Sequence, residues 1–250
     1  MNLKTKLLTL ALGAGIAGAA NGQVVFEDNF NSITGDITTS PNWSKFSGTG
    51  NPTVAGGIVS IGAGDGDVEA DLGTLSSGTY FFGIDIEIAS AAASEYVLGF
   101  RDGSTLVSRI FFADEGSGFA IGANTGGTGS GSADGFIGGV TPTVFDLGTT
   151  YRLVSSYDGA STVSIWIDPT SGDFASPDLT ISNSDGPHTP DAFYFRQGGG
   201  WDNGGASWTA DNLVVSSNFA SAVPEPEMYG ALFGLIALGF AVVRRRRHQR

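Results

Sequence analysis

Residues 79–88, TYFFGIDIEI, alternate large apolar side chains with side chains of mixed polarity. In an extended strand, successive side chains fall on opposite faces. The pattern therefore predicts a β-strand with one face on a hydrophobic core and the other largely toward solvent. The first face would carry Tyr80, Phe82, Ile84, Ile86 and Ile88, and the second Phe81, Gly83, Asp85 and Glu87.

Shorter alternating runs lie on both sides of this stretch, separated by Gly, Asn, Asp and Pro. The chain has 39 glycines in 250 residues, and glycine costs a helix interior about 1 kcal/mol per position. Residues 23–222 are therefore predicted to form an all-β domain, a single antiparallel β-sandwich or jelly roll. Two stacked immunoglobulin-like domains are the alternative, but no repeat or linker divides this region. The other predicted strands are 58–61, 96–101, 106–112, 151–157, 162–168, 193–196 and 210–215.

The charged residues are unevenly distributed along the chain. The net charge is −13, from 25 acidic and 12 basic residues, but the region 23–222 holds 23 of the acidic residues and only five of the basic ones. This acidic region lacks the basic surface that nucleic-acid binding requires, so no nucleic-acid partner is expected. The absence of cysteine from the sequence excludes disulfides and thiolate metal sites.

Residues 1–22 have the order of a secretory signal peptide. Lys4 and Lys6 precede an apolar run over 7–20, which ends in small residues. This arrangement predicts an N-terminal signal helix that signal peptidase removes between Ala19 and Gly22. A buried N-terminal helix is the alternative, which the glycines of the run disfavour.

Residues 223–250 form a second terminal segment. A Val-Pro-Glu-Pro sequence leads into the apolar residues 228–243, which as a helix would span about 24 Å and form a short transmembrane helix. The arginines that follow would stay cytoplasmic. This tail resembles the PEP-CTERM sorting signal of Gram-negative bacteria. The resemblance implies brief residence in the inner membrane, recognition by an exosortase, and release or attachment outside the cell; a plain membrane anchor is the alternative. The residues that carry the resemblance are Val223, Pro224, Glu225, Pro226, Arg244, Arg245, Arg246 and Arg247.

The region between the two ends also resembles a known superfamily. Its motifs are FEDNF at 26–30, Trp43, GGIV at 56–59, YRL at 151–153, VSIWIDP at 163–169 and DNLVV at 211–215. Together they resemble the concanavalin A-like lectin/glucanase superfamily, which includes laminin-G-like modules. The resemblance implies a jelly roll of two curved sheets with carbohydrate or protein ligands. It does not imply catalysis, because fold and function are separable.

The catalytic motif of the superfamily's glucanases is incomplete here. That motif is Glu-x-Asp-x-x-Glu, and its two carboxyl groups must lie about 5–5.5 Å apart for a retaining mechanism. Residues 69–71 begin it, but Thr74 stands where the second Glu should be, and residues 85–87 lack the leading Glu. His188 is the only histidine between residues 23 and 222. The sequence therefore predicts that the protein is not an enzyme.

Four acidic residues alternate with other residues over positions 65–71. In an extended strand they would share one face and repel each other. Calcium would relieve this repulsion, because it binds six to eight oxygen ligands, and Asp28 or Asp211 could add to the set. A solvated acidic strand at a sheet edge is the alternative. The calcium candidates are Asp65, Asp67, Glu69 and Asp71.

Aromatic and polar residues on two predicted strands and one Gly-rich loop suggest a carbohydrate-binding surface. Packing in the core or at its rim is the alternative for the same rings. The candidates are Trp166, Tyr194, Arg196, Trp201, Asp202, Asn203 and Trp208.

These patterns together predict a secreted, non-catalytic surface or matrix protein that binds or structures extracellular polysaccharide. A degenerate or unrecognised polysaccharide hydrolase is one alternative. A purely structural surface protein without a specific ligand is the other.

Overall fold

The computed structural model describes residues 23–91, 94–126, 131–183, 186–197 and 207–223. Within these ranges the chain forms two antiparallel β-sheets, one of nine strands and one of seven. The prediction of an antiparallel β-sandwich is confirmed. The predicted signal peptide and the tail from Pro224 onward lie outside the described residues. In the part that is described, no helix has the length and apolar content needed to cross a membrane.

The larger sheet is built around the strand predicted from residues 79–88. Its order is β14-β13-β12-β7-β16-β5-β4-β2, and β1 pairs with the end of β16 that β5 leaves open. The strands are β1 (Val24–Asp28), β2 (Gly35–Asp36), β4 (Thr53–Ala55), β5 (Ile58–Ile61), β7 (Tyr80–Ser90), β12 (Thr150–Tyr157), β13 (Thr162–Ile167), β14 (Leu179–Ser182) and β16 (Ser207–Ser216).

The smaller sheet packs against the larger one. Its order is β11-β10-β9-β8-β15-β6-β3. The strands are β3 (Trp43–Ser47), β6 (Asp67–Asp71), β8 (Glu95–Asp102), β9 (Thr105–Asp114), β10 (Phe119–Gly126), β11 (Gly135–Phe136) and β15 (Ala192–Phe195). Two short 3₁₀ helices, Ile37–Thr39 and Asp173–Ala175, lie in connecting loops.

One hydrophobic core fills the space between the sheets. The apolar face predicted for β7 enters it through Phe82, whose ring centre lies 5.3 Å from that of Phe100 and 5.1 Å from that of Phe193. Because Phe100 and Phe193 belong to the smaller sheet, these aromatic contacts join the two layers. Alternation along the strands therefore determines which side chains remain on the two outer faces.

The outer face of the larger sheet carries the end of the described chain. A short helix, α1 (Phe219–Ala222), lies across Phe81 and Trp166 in a second apolar cluster. Arg152 fixes this segment, because its Nε and Nη2 atoms donate to the Ala222 carbonyl at 3.3 and 2.8 Å. The contact needs Gly83 beneath it, since a Cβ there would lie 1.9 Å from the same carbonyl oxygen.

The strand that carries the alternating acidic residues is not a sheet edge. β6 pairs with β15 on one side and with β3 on the other. The alternative of a solvated acidic edge is therefore wrong. The described strand begins at Asp67, so Asp65 lies in the preceding turn, where its Oδ2 accepts from the Gly62 amide at 2.7 Å.

Candidate functional site

Two of the predicted ligand residues lie together on the outer face of the smaller sheet. In β15, Phe193 and Phe195 enter the core, which leaves Tyr194 on the outer face. Arg196 follows two residues later, and its amide donates to the Val97 carbonyl of β8 at 2.7 Å. The backbone of β8 therefore fixes the position of Arg196.

Two guanidinium groups lie over the half-buried ring of Tyr96. The guanidinium carbon of Arg196 is 4.0 Å from the ring centre, and that of Arg109 is 4.9 Å from it. Both distances are within the range of a favourable cation–π contact. A third arginine of the same sheet, Arg101, lies 4.5 Å from the ring centre of Phe46. We call this surface, formed by Tyr96, Arg101, Arg109, Tyr194 and Arg196, the Arg–Tyr face.

Arg101 and Arg196 differ in how closely acidic side chains approach them. Arg101 forms a close ion pair with Glu69. Arg196 is more distant from its acids, because its Nε lies 3.5 Å from Asp67 and its Nη1 lies 3.7 Å from Glu95. These distances exceed the 2.7–3.2 Å of an N–H···O hydrogen bond.

The Tyr194 side chain is fully buried beneath this surface. Among the described residues its hydroxyl has no hydrogen-bond partner. Burial raises the pKa of Tyr194, although Arg109 and Arg196 oppose this effect. The hydroxyl is therefore protonated at neutral pH and can donate a hydrogen bond.

A groove of about 240 Å³ lies at one end of the Arg–Tyr face. It is polar, and both Arg101 and its partner Glu69 contribute to its wall. Its described lining residues are Ser44, Glu69, Asp71, Arg101, Gly103, Asp191 and Ala192. Three of these residues are acidic and one, Arg101, is basic.

The described tryptophans among the predicted ligand residues are buried. Trp166 is only 3% exposed, and its ring centre lies 4.8 Å from that of Phe219 in α1. Trp208 is 1% exposed and packs between Phe112 and Phe195 in the core. Neither ring has a face open to a ligand, so packing is the role that the structure gives them. The candidates Trp201, Asp202 and Asn203 lie outside the described residues.

The predicted calcium ligands do not converge on one point. Asp67 accepts from the Ser47 hydroxyl at 2.6 Å and from the Gln197 amide at 3.1 Å. Asp71 accepts from the Gly73 amide, while Glu69 is paired with Arg101. Across the described ranges, no group of three acidic or histidine side chains is arranged to hold a metal ion. Calcium binding stays a prediction, which calorimetric titration would test.

The two additional calcium candidates lie elsewhere. Asp28 accepts from the Trp43 indole at 2.9 Å and from the Phe30 amide at 2.7 Å. Asp211 belongs to the larger sheet, where burial and the neighbouring Asp85 raise its pKa. Neither carboxylate therefore joins the set on β6.

Both partial glucanase motifs are held by contacts within the protein. On β7, Asp85 pairs with Arg152 at 3.1 Å and also accepts from the Asn212 side chain at 2.8 Å. His188 lies 3.0 Å from Asp102 at the end of the β8–β9 hairpin. The Asp85 carboxylate is thus engaged by an arginine and an asparagine, and the His188 ring by an aspartate.

The sequence patterns do not single out Tyr96 or Arg109. Simple alternation places Tyr96 on the same face as Leu98 and Phe100, but irregular pairing between β8 and β9 at this point turns its side chain outward. Arg109 could have been identified, because it lies between core residues and is one of only five basic residues in the region 23–222.

The fold and this surface define a β-sandwich protein with a polar, aromatic outer face. No protein-family model matches the chain, and no curated protein sequence matches it either.

Solved structures share the fold at low sequence identity. The CBM2 module of the evolved Dit protein of Lactobacillus casei BL23 phage J-1 has a TM-score of 0.53 and 12% identity, with 79% of this chain and 96% of that chain covered. The cellulose induced protein Cip1 has a TM-score of 0.50 and 12% identity, covering 77% and 97%. A structure from work on endo-acting O-glycanases of the human gut microbiota, which initiate mucin breakdown, has a TM-score of 0.52 and 12% identity, covering 78% and 100%. These similarities establish the fold alone.

Proposed function

We propose that this chain is a non-catalytic carbohydrate-binding protein and that the Arg–Tyr face is its binding surface. The observation that carries the proposal is the row of hydrogen-bond donors on one sheet face. Saccharides present many acceptor oxygens, and binding sites recognise them through a few well-placed polar groups. Within the described residues, the Tyr194 hydroxyl and the Arg196 Nη1 atom have no hydrogen-bond partner.

The similar structures support this proposal at a coarse level. One of them is a carbohydrate-binding module, and another comes from work on O-glycanases. They share the fold of this chain. The residues proposed to contact a ligand are inferred from this structure and not from the similar ones.

The pairing of the carboxylates supports a binding role without catalysis. A glycosidase needs one protonated and one ionised carboxyl group across its substrate. Glu69 is paired with Arg101, and the Asp71 carboxylate accepts from the amide of Gly73. A hydrolysis assay on the polysaccharide that the protein binds would test this point, since released reducing ends would establish an enzyme.

The sequence supports export and sorting of this domain. The proposed route uses signal peptidase at the N-terminus and an exosortase at Pro224–Pro226, and it ends at the cell surface or in the extracellular matrix. Val223, the last described residue, is buried against the larger sheet. The proposed cleavage motif would therefore begin directly after a residue that packs against the sheet. Pulse-chase mass spectrometry of the mature protein tests this route, and an intact Arg250 terminus would contradict it.

A glycan array tests the binding function. The full-length chain in mild detergent should be retained by at least one class of polysaccharide, and Arg196→Gln should lose that retention. Lys45→Gln is the matched control, because it also removes one positive charge but lies on the exposed edge strand β3. An array without binding by the wild-type chain would favour a purely structural surface protein.

A further inference from the structure

The Arg–Tyr face concentrates the positive charge of an acidic domain. Residues 23–222 contain four arginines, and three of them, Arg101, Arg109 and Arg196, lie on this one face. The fourth, Arg152, lies on the opposite outer face, where its guanidinium is used by Asp85 and by the Ala222 and Asn212 carbonyls. The two outer faces of the sandwich therefore differ in the number of arginines that they carry, and carboxylates lie beside the arginines on both faces.

Arg196 retains hydrogen-bonding capacity that its acidic neighbours do not use. Both of its carboxylate contacts are long, at 3.5 Å to Asp67 and 3.7 Å to Glu95. Asp67 already accepts two shorter hydrogen bonds from other donors. The Nη1 atom of Arg196 is buried without a hydrogen-bond partner among the described residues, and leaving such a group unsatisfied is unfavourable.

The Tyr194 hydroxyl is a second buried donor in the same place. Tyr194 is 0% exposed and lies two residues before Arg196 on the same face of the sheet. Its hydroxyl is likewise without a partner in the described part of the chain. Because the Tyr194 hydroxyl lies beneath the surface, the partly exposed Arg196 guanidinium is the donor that a ligand would contact, and it matches a group with acceptor oxygens and a negative charge.

We propose that the ligand of the Arg–Tyr face is an acidic saccharide whose carboxylate binds the Arg196 guanidinium. The inference rests on the proposed carbohydrate-binding function and specifies its ligand class. Arginine is suited to this role because its planar fork of donors fits a carboxylate in a bidentate manner. The half-buried Tyr96 ring holds the guanidinium in position.

Calorimetry with matched oligosaccharides tests the ligand class. The full-length chain in mild detergent is titrated with β-1,4-tetraglucuronate and with cellotetraose, which has the same linkage and stereochemistry but no carboxylates. We expect tetraglucuronate to bind at least about tenfold more tightly, a difference that one charged hydrogen-bonded pair can supply. Its affinity should fall as salt is raised, because the contact is an ion pair.

Two variants separate the guanidinium's geometry from its charge. Arg196→Lys keeps the charge but loses the planar fork, and it should lose about tenfold in tetraglucuronate affinity. Lys45→Gln should bind like the wild type. Circular dichroism of each sample checks that it is folded.

The outcomes distinguish this inference from the proposed function. Equal binding of both tetrasaccharides, lost in Arg196→Lys, would overturn the acidic ligand but leave carbohydrate binding at this face intact. Tetraglucuronate binding that is unchanged in Arg196→Lys would overturn the role of Arg196. If neither tetrasaccharide binds and the glycan array shows no retention, both proposals fail.

Discussion

The guanidinium carbon of Arg196 lies 4.0 Å from the centre of the Tyr96 ring. The two residues are 100 positions apart in the sequence, and they meet because β15 and β8 are neighbours in the smaller sheet. The hydrogen bond from the Arg196 amide to the Val97 carbonyl fixes the approach. Their contact holds a cation on the outer face of an acidic sandwich, where the proposed saccharide would bind.

Replacing Tyr96 with leucine removes the ring that both guanidinium groups contact. Partly buried cation–π contacts contribute about 1–2 kcal/mol. We expect Tyr96→Leu to lower the free energy of unfolding by about that amount, as measured by denaturant titration. Tyr96→Phe is the control, because it keeps the ring, and it should remain close to the wild type. Equal losses in the two variants would show that the hydroxyl, and not the ring, is the important group.

Gly83 provides the space through which the end of the described chain crosses β7. A Cβ at this position would lie 1.9 Å from the Ala222 carbonyl oxygen and 2.6 Å from Nη2 of Arg152. Gly83→Ala should therefore displace α1 and cost about 1–3 kcal/mol in unfolding free energy. Gly172→Ala is the matched control, since a Cβ there has no contact shorter than 3.8 Å. Similar stability of both variants would contradict the close crossing at Gly83.

Trp166 has a structural role in this account and no direct role in binding. Trp166→Ala should lower the unfolding free energy by about 3–5 kcal/mol, because it leaves a cavity beneath Phe219. Phe174 stacks on the same ring but is 56% exposed. Phe174→Ala should consequently cost about 1 kcal/mol, since much of its surface is already in water. A stable Trp166→Ala protein that has lost only its glycan binding would contradict this assignment.

Asp158 makes the β12–β13 hairpin sensitive to acid. Its Oδ1 accepts from the amides of Ala160, Ser161 and Thr162 at 2.8–2.9 Å. Burial opposes ionisation, but these hydrogen bonds outweigh it and hold the pKa of Asp158 below its ordinary value. Because the folded-state pKa is lower than the unfolded one, the stabilisation is complete above about pH 5 and is lost as the pH falls through the folded-state pKa.

Removing the Asp158 carboxylate should therefore make the free energy of unfolding less dependent on pH between pH 7 and pH 2. We expect Asp158→Ala to lose about 1 kcal/mol at pH 7 and to differ less from the wild type at pH 2. Asp158→Asn keeps an acceptor oxygen and should be more stable than the alanine variant while showing the same reduced pH dependence. Denaturant titrations from pH 7 to pH 2 measure both effects. If Asp158→Asn lost as much stability as the wild type between pH 7 and pH 2, Asp158 would not be the group responsible.

The larger part of the fold could be predicted from the sequence because strand alternation is a local signal. The apolar face of β7 enters the core as its pattern predicts, and all the shorter runs correspond to strands. The pairing of the strands was not accessible in the same way. Nothing local to residues 65–71 indicates that β3 pairs with the edge of β6. Considered alone, these residues therefore resemble a strand at the edge of a sheet.

The candidate site could be predicted only in part, for a related reason. Tyr194 and Arg196 follow from alternation in β15, because Phe193 and Phe195 occupy the core face. Trp166 satisfies the same rule, yet α1 covers it from a distant part of the sequence. Alternation identifies the side chains that leave the core, but it does not indicate whether another segment then covers them.

Hydroxyl-radical footprinting of the full-length chain tests the central claim most directly. Oxidation of Tyr96 is measured by mass spectrometry with and without a saturating concentration of tetraglucuronate or cellotetraose, whichever binds. Phe174 is the internal reference, because it is exposed on the opposite side of the sandwich. Binding of the saccharide at the Arg–Tyr face should reduce Tyr96 oxidation relative to Phe174. Unchanged Tyr96 oxidation under saturation, or protection of Phe174 instead, would show that the Arg–Tyr face is not the binding surface.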